Sequence, residues 1–165
     1  MATDQQYVLL TGSDLGNRLS NLQLAYDLID KNVGVIEKSS DVFESEPWGF
    51  EAETKFLNQA LLVKSLLKPL DVLERILAIE KSIGRVRTNQ HWISRIIDID
   101  ILCSEQNIFH TSELTIPHKL LHERPFALEP LCQIVDWKHP LLKINYKEIL
   151  TGLLQKPSKT TFIVD

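Results

Sequence analysis

Between residues 33 and 66 of this 165-residue chain, two extended segments follow one another with no helix between them, and that succession argues against a doubly wound parallel sheet. The first passes through Val33, Val35, Val42 and Phe43 to Glu46, and the second is the stretch FLNQALLVKSL that ends at Leu66. Branched and aromatic residues of this kind suit a pleated surface. The turn Pro47-Trp48-Gly49 ends the first segment, so an antiparallel pair is expected. Helical patterns flank the pair. Residues 17–31 carry Leu19, Leu22, Tyr26 and Ile29 at helical spacing, broadened by Leu15, Ala25 and Leu28. Pro69 opens a second helix to about residue 82, with Leu70, Leu73 and Leu77 as one apolar row and Val72, Ile76 and Ile79 as another.

The apolar run Tyr7-Val8-Leu9-Leu10 precedes the first helix, and Ile96-Ile97-Asp98-Ile99-Asp100-Ile101-Leu102 follows the second. The order is therefore strand–helix–strand–strand–helix–strand, which predicts an α+β, ferredoxin-like βαββαβ core. Helical segments around residues 123–135 and 146–153 are added at the C-terminal side. No internal repeat or linker divides the chain, so one domain over residues 1–165 is expected. Cys103 and Cys132 stand far apart with no metal-ligand spacing, which suits buried apolar residues in a reducing cytoplasm. No apolar run approaches the roughly 20 residues needed to span a bilayer. The net charge of −4 disfavours nucleic acid as a partner, so any anion site must be a local concentration of cations.

The strongest candidate for chemistry is Asp98-Ile99-Asp100. Residues i and i+2 of a strand share a face, so both carboxylates point one way while Ile97, Ile99 and Ile101 point into the core. Paired carboxylates repel unless a cation lies between them, and magnesium takes carboxylate oxygens together with substrate phosphates. A half-exposed strand with a polar outer face is the alternative. Immediately upstream, Gly84 to Arg95 holds Arg85, Arg87 and Arg95 with no acid among them. Guanidinium forks match phosphate oxygens, whereas a solvated basic loop would carry no chemistry. Cations for phosphate beside carboxylates for magnesium make up two halves of a nucleoside triphosphate site. Glu80 is placed on the helix face of Leu73 and Leu77, either at the core edge with a partner or as an acid orienting the loop. Thr115 and His118 could bond phosphate, although a lone histidine is more often structural. Trp48, Phe56 and Phe126 are candidates to stack on a flat ligand, with Asn58 on the same strand face as Phe56. Neither GxxxxGK[ST] nor GxGxxG occurs, and the chain has only six glycines, so side chains must recognise phosphate.

Several stretches, taken together, resemble the 6-hydroxymethyl-7,8-dihydropterin pyrophosphokinase family of folate biosynthesis. They run in order from Gly12-Ser13 through Glu46-Pro47-Trp48-Gly49, Phe56-Leu57-Asn58 and Glu80 to Gly84-Arg85-Val86-Arg87. Trp92, Arg95, Asp98-Ile99-Asp100, Leu114-Thr115-Ile116-Pro117-His118 and Arg124-Pro125-Phe126 continue the series. The resemblance implies an enzyme that transfers pyrophosphate from ATP to the hydroxymethyl group of the pterin and releases AMP. It implies that Asp98 and Asp100 ligate two magnesium ions bridging the ATP phosphates. Phe56 and Phe126 would sandwich the pterin ring, and Ser45, Pro47, Trp48 and Asn58 would surround its polar edge. Arg85, Arg87 and Arg95 would belong to a mobile catalytic loop. Thr115, His118 and Arg124 would hold phosphates, with Glu80, Trp92 and Ile101 near the nucleotide. A cytoplasmic monomer acting on small molecules is expected.

The chain departs from the family pattern in places. Asp14 stands where asparagine is usual, Ile93-Ser94 replaces a common glycine–proline pair, His91 sits where an arginine can occur, and Lys119 takes a position that is aromatic in some members. Two rivals remain at this stage, a kinase transferring only the γ-phosphate and a ferredoxin-like binding module whose site has decayed. The loop from Gly84 to Arg95 is expected to be open without ligands and to close over bound ATP.

Overall fold

The computed structural model describes residues 3–46, 55–86 and 95–155. Strand β1 (Gln5–Ser13) leads into helix α1 (Arg18–Asn32), then β2 (Val35–Ser39), β3 (Phe43–Ser45), β4 (Phe56–Ser65) and helix α2 (Pro69–Ile83). Strand β5 (Asp98–Ser104) follows, then the two-residue strands β6 (Phe109–His110) and β7 (Thr115–Ile116), a 3-10 turn at Leu121–Glu123, α3 (Pro125–Ile134) and α4 (Tyr146–Gln155). The main sheet runs β2-β4-β1-β5 with every neighbouring pair antiparallel, and β3 pairs with the far end of β4. This is the α+β ferredoxin-like arrangement expected from the order of elements, with α3 and α4 added.

Local chemistry accounts for the element ends. The Asn17 side chain caps α1 by accepting the Ser20 N–H at 3.1 Å. Pro69 and Pro125 open α2 and α3, where the missing proline N–H would be an orphan in any case. Helix α2 ends on Gly84 at φ 116°, a left-handed conformation that favours glycine. That reversal brings the Arg85 N–H onto the Glu80 carbonyl at 3.0 Å and turns the Arg85 side chain back toward the sheet.

The strand period of two divides the apolar residues between two cores. Tyr7, Leu9, Leu61, Val63, Ile99 and Ile101 face one way and pack with Leu22, Ala25 and Ile29 of α1 and Val72, Ile76 and Ile79 of α2. Val8, Leu10, Ala60, Leu62 and Leu102 face the other way against Leu121, Ala127, Leu128, Leu131 and Tyr146. Each fully buried large aliphatic side chain contributes about 1.5–3 kcal/mol. Cys103 is buried in this second core and Cys132 is half-buried beside it; both are free thiols.

Several expectations need correction. Leu19 is 61% exposed, so the buried stripe of α1 is Leu22, Ala25 and Ile29 and does not reach the first turn. On α2 only the Val72, Ile76 and Ile79 row is buried, whereas Leu77 is 40% exposed, because the sheet meets one face of the helix. The last core strand begins at Asp98 and extends to Ser104, two residues later than the pattern suggested at each end. The hairpin of β6 and β7 was not anticipated, since strands of two residues carry no periodicity. Among the described residues no helix is long and apolar enough to cross a membrane.

Candidate active site

The register of three strands builds the site. Gly12 of β1 lies opposite Asn58 of β4 on one side and Asp98 of β5 on the other. Two residues along, Leu10 lies opposite Ala60 and Asp100. Because alternate residues share a face, Asp98, Asp100, Gly12, Leu10, Asn58 and Phe56 all face the α3 side of the sheet. They line one pocket with Ser45, Glu46, Arg95, Arg124 and Phe126. The isoleucines between and beside the acids are buried in the opposite core, as the alternation predicted.

Gly12 makes the row possible. A Cβ at this position would stand 3.0 Å from Asn58 Oδ1 and 3.6 Å from the Phe56 ring, so any side chain would displace the amide or fill the pocket floor. Asn58 is buried and its Nδ2 donates to Ser45 Oγ at 2.7 Å, which ties β3 to β4 and fixes the direction of the amide. Arg18 steadies the start of β4 by donating to the Lys55 carbonyl at 2.7 Å, with Glu44 Oε2 3.3 Å from the same nitrogen.

The acidic half of the pocket is held by arginines. Arg85 Nη1 donates to Asp98 Oδ1 at 2.8 Å and also to Glu80 Oε2. Arg95 Nη1 lies 3.5 Å from Asp98 Oδ2. Glu80 is only 2% exposed, and its Oε2 also accepts the Ile99 N–H at 2.9 Å, the amide between the two aspartates. A buried carboxylate bonded to both a guanidinium and the β5 main chain is a brace for the acidic strand. Glu80 thus belongs to the buried Val72–Ile76–Ile79 side of α2, not to the row of Leu73 and Leu77. Burial, then the neighbouring Asp98 carboxylate, push the Asp100 carboxyl up to about 7, while Arg124 and Arg95 pull it down. A second carboxylate held that unfavourably marks a place where cationic charge is wanted.

Pro125 at the first position of α3 sets Arg124 just before the helix and Phe126 just inside it. The Arg124 guanidinium carbon lies 5.7 Å from the Phe126 ring centre, and burial lowers the pKa of this arginine despite the opposing pull of Asp100 and Asp98. His118 follows β7; its N–H donates to the Leu102 carbonyl at 2.8 Å and its Nδ1 accepts the Leu120 N–H at 3.1 Å. Burial, reinforced by Arg124, lowers His118 to about 4. The ring is therefore neutral at physiological pH, and with Nδ1 accepting, its proton sits on Nε2 as a donor. Thr115 Oγ1 lies 3.3 Å from His110 Nδ1 in the β6–β7 hairpin.

The structure thus gathers Ser45, Phe56, Asn58, Arg95, Asp98, Asp100, Arg124 and Phe126 around one pocket, with Arg85 and Glu80 braced behind the acids. Thr115 and His118 lie on the following hairpin and turn, not in the pocket lining. The Ile101 side chain is buried in the core, which leaves only its main chain for any contact with a ligand. Pro47, Trp48, Arg87, His91, Trp92, Ile93 and Ser94 lie outside the described residues, as does most of the loop expected to close over ATP. Leu10 and Glu46 also line the pocket and were not singled out as site residues; the pairing of β1 with β5, which no local motif encodes, is what brings Leu10 in.

The sequence profile of the 7,8-dihydro-6-hydroxymethylpterin-pyrophosphokinase family matches residues 8–136. The 2-amino-4-hydroxy-6-hydroxymethyldihydropteridine pyrophosphokinase of Porphyromonas gingivalis is 38% identical over 135 residues, covering 80% of this chain and 92% of that protein. The Aquifex aeolicus protein of the same name is 37% identical over 147 residues, covering 88% and 91%. Among solved structures, a wild-type Plasmodium falciparum HPPK-DHPS with pterin and p-hydroxybenzoate superposes with a TM-score of 0.72 at 18% identity. That match covers 91% of this chain but only 42% of the longer one, and at such identity it speaks for the fold alone. With the curated relatives matched over nearly their whole length, the chain belongs to the 7,8-dihydro-6-hydroxymethylpterin-pyrophosphokinase family.

Proposed function

We propose that this protein transfers the pyrophosphoryl group of ATP to the hydroxymethyl oxygen of 6-hydroxymethyl-7,8-dihydropterin, releasing AMP. The observation that carries the reading is the Asp98–Gly12–Asn58 row, which sets paired carboxylates across strand β1 from a fixed amide, with two aromatic rings in the same pocket. Phe56 and Phe126 supply apolar faces for a flat heterocycle, and Asn58, oriented by Ser45, supplies a donor and an acceptor for its edge. The hydroxymethyl end of such a ligand would point toward the aspartates.

The donor set suits magnesium, since Asp98 and Asp100 offer carboxylate oxygens on one strand face, and burial together with the like charge of Asp98 raises Asp100. Bound there together with the triphosphate, two magnesium ions would neutralise phosphate charge and polarise the phosphorus under attack. Arg95 and Arg124 line the same pocket and can offer guanidinium donors to phosphate oxygens. Neutral His118 can add its Nε2–H, and Arg87, Trp92 and Thr115 belong to the proposed nucleotide side. Pro47 and Trp48 belong to the proposed pterin side. Arg85, tied to Glu80 and Asp98, holds the acidic strand in place and exchanges part of that contact for phosphate when the nucleotide enters. Glu80 acts through Arg85 and the Ile99 amide, and Ile101 through its main chain. No general base is needed, because transfer of this type depends on alignment and charge neutralisation.

We further propose a single domain over residues 1–165, acting as a cytoplasmic monomer on small molecules without nucleic acid or membrane. The test is incubation with ATP, magnesium and the pterin alcohol, followed by separation of the nucleotides. AMP formed in step with a pyrophosphorylated pterin supports the proposal; ADP would transfer it to the rival γ-phosphate kinase, and no turnover would favour a decayed binding module.

A further inference from the structure

The turn after β1 carries a buried acid that the proposed reaction does not use. Asp14 is 1% exposed, and its Oδ1 accepts the Arg95 N–H at 2.6 Å. Its own N–H donates to the Arg95 carbonyl at 3.2 Å. Two hydrogen bonds of opposite direction thus clasp the end of β1 to the residue three positions before β5. The turn itself is fixed from α1, where Asn21 Nδ2 donates to the Leu15 carbonyl at 2.9 Å and to Ser13 Oγ at 3.2 Å. The Arg95 guanidinium faces the same acids as Arg85, with Nη1 3.5 Å from Asp98 Oδ2. The clasp thus fixes the main chain from which the Arg95 side chain enters the pocket.

We propose that Asp14 is a positioning residue for Arg95, its buried carboxylate fixing the main chain from which the Arg95 guanidinium reaches the phosphate side of the pocket. What Arg95 then does rests on the pyrophosphokinase reading, whereas the clasp does not. The bond needs an acceptor oxygen at the Oδ1 position. Asparagine can supply one with the same shape, and alanine cannot. Loss of the acceptor leaves a buried amide unsatisfied and lets Arg95 sample positions away from the reacting phosphates, an error felt in turnover more than in substrate capture.

The test uses the full chain carrying Asp14→Ala, Asp14→Asn, Arg95→Ala and the Asp14→Ala/Arg95→Ala pair. Amide exchange is read by NMR, and kcat and KM are read from AMP release. In Asp14→Ala the Arg95 amide should exchange at least about tenfold faster, as expected when a local hydrogen bond is lost. Turnover should fall about tenfold while KM for the pterin stays within about twofold, and Asp14→Asn should keep both near the parent values. On the Arg95→Ala background the alanine at position 14 should cost less than about twofold more, because coupled residues are not additive. If Asp14→Ala does not fold, Asp14→Ser, too short to reach the amide, carries the same expectations. An unchanged Arg95 amide, or a full loss of turnover repeated on the Arg95→Ala background, would overturn the assignment. A parent protein that makes no AMP would overturn the pyrophosphokinase reading alone, and the exchange measurement would still decide the clasp.

Discussion

The two faces of the central sheet are built from the same strands and do opposite things. The face under α1 and α2 is packed along its length by Tyr7, Leu9, Leu57, Leu61, Val63 and Ile99, with polar residues on β1 and β4 at the buried Thr11, Ser13 and Ser65 and the half-buried Gln5 and Gln59. The face under α3 and α4 is apolar where Val8, Leu10, Ala60 and Leu62 meet helices; Asp100 stands opposite Leu10, and beyond that level the face changes to Gly12, Asn58 and Asp98. Among the described residues no helix covers that end; the N-terminus of α3 brings Arg124 and Phe126 to its edge. The difference shows where this fold keeps its stability and where it can accept a charged ligand. Adjacent residues of one strand, such as Leu9 and Leu10 or Ile99 and Asp100, belong to different tasks because the pleat turns them apart.

That division can be broken by substitution. The largest effect is expected at the acids. Asp98→Asn and Asp100→Asn should each lower kcat by about a hundredfold or more, the loss of several kcal/mol of charge stabilisation. The thermal midpoint should hold or rise in Asp100→Asn and fall in Asp98→Asn, which gives up the ion pair with Arg85. Near-parent turnover of both variants at saturating magnesium would remove the metal assignment. In the metal-free protein Asp100 also predicts a pH dependence. Its carboxyl ionises near 3.8 when unfolded and near 7 when folded, so over that interval the unfolded chain holds fewer protons. Wild-type stability relative to Asp100→Asn should therefore fall as pH rises from about 4 to about 7 and level off on either side. Urea midpoints in chelator across this range check the sign, and a difference that is flat or rises with pH would contradict it.

On the closed face, Leu9→Ala should behave in the reverse way. Truncating a fully buried leucine costs about 2–5 kcal/mol, with kcat of the folded fraction preserved. Denaturant titration and kinetics at low temperature separate the two. Smaller effects should sharpen the boundary within the pocket. Phe126→Ala removes stacking worth on the order of 1 kcal/mol, so calorimetry should show pterin affinity falling about fivefold with nucleotide affinity nearly unchanged. Equal losses for both ligands would make Phe126 part of the core. Gly12→Ala should raise KM for the pterin a few-fold, since the new methyl stands 3.0 Å from Asn58 Oδ1, and leave KM for ATP alone.

Much of this is legible in the sequence. Alternation told that Asp98 and Asp100 share a face opposite Ile97, Ile99 and Ile101, because the rule depends only on the strand. The Phe56–Asn58 pair followed in the same way. What the sequence could not carry was the pairing across strands. Nothing local says that Asp98 lies opposite Gly12, or that Gly12 is small because Asn58 and Phe56 need the space. Helix faces were read less well than strand faces. Both apolar rows of α2 fit a helical period, and only contact with the sheet decides that Glu80 is buried and Leu77 is not. Asp14 was visible as a departure from the family pattern, but its bond to an amide 81 residues away was not.

The central claim is that both ligands meet on the uncovered end of one sheet face, and amide chemical-shift mapping tests it most directly. Titration with the pterin alcohol and a magnesium complex of a non-hydrolysable ATP analogue should move the amides of Gly12, Phe56, Asn58, Asp98, Asp100, Arg124 and Phe126. Those of Ala25 and Ile29 in α1 and Val72 and Ile76 in α2 should stay in place. Perturbations centred on the α1–α2 face, or none in the Asp98–Gly12–Asn58 row at saturating ligand, would contradict the account.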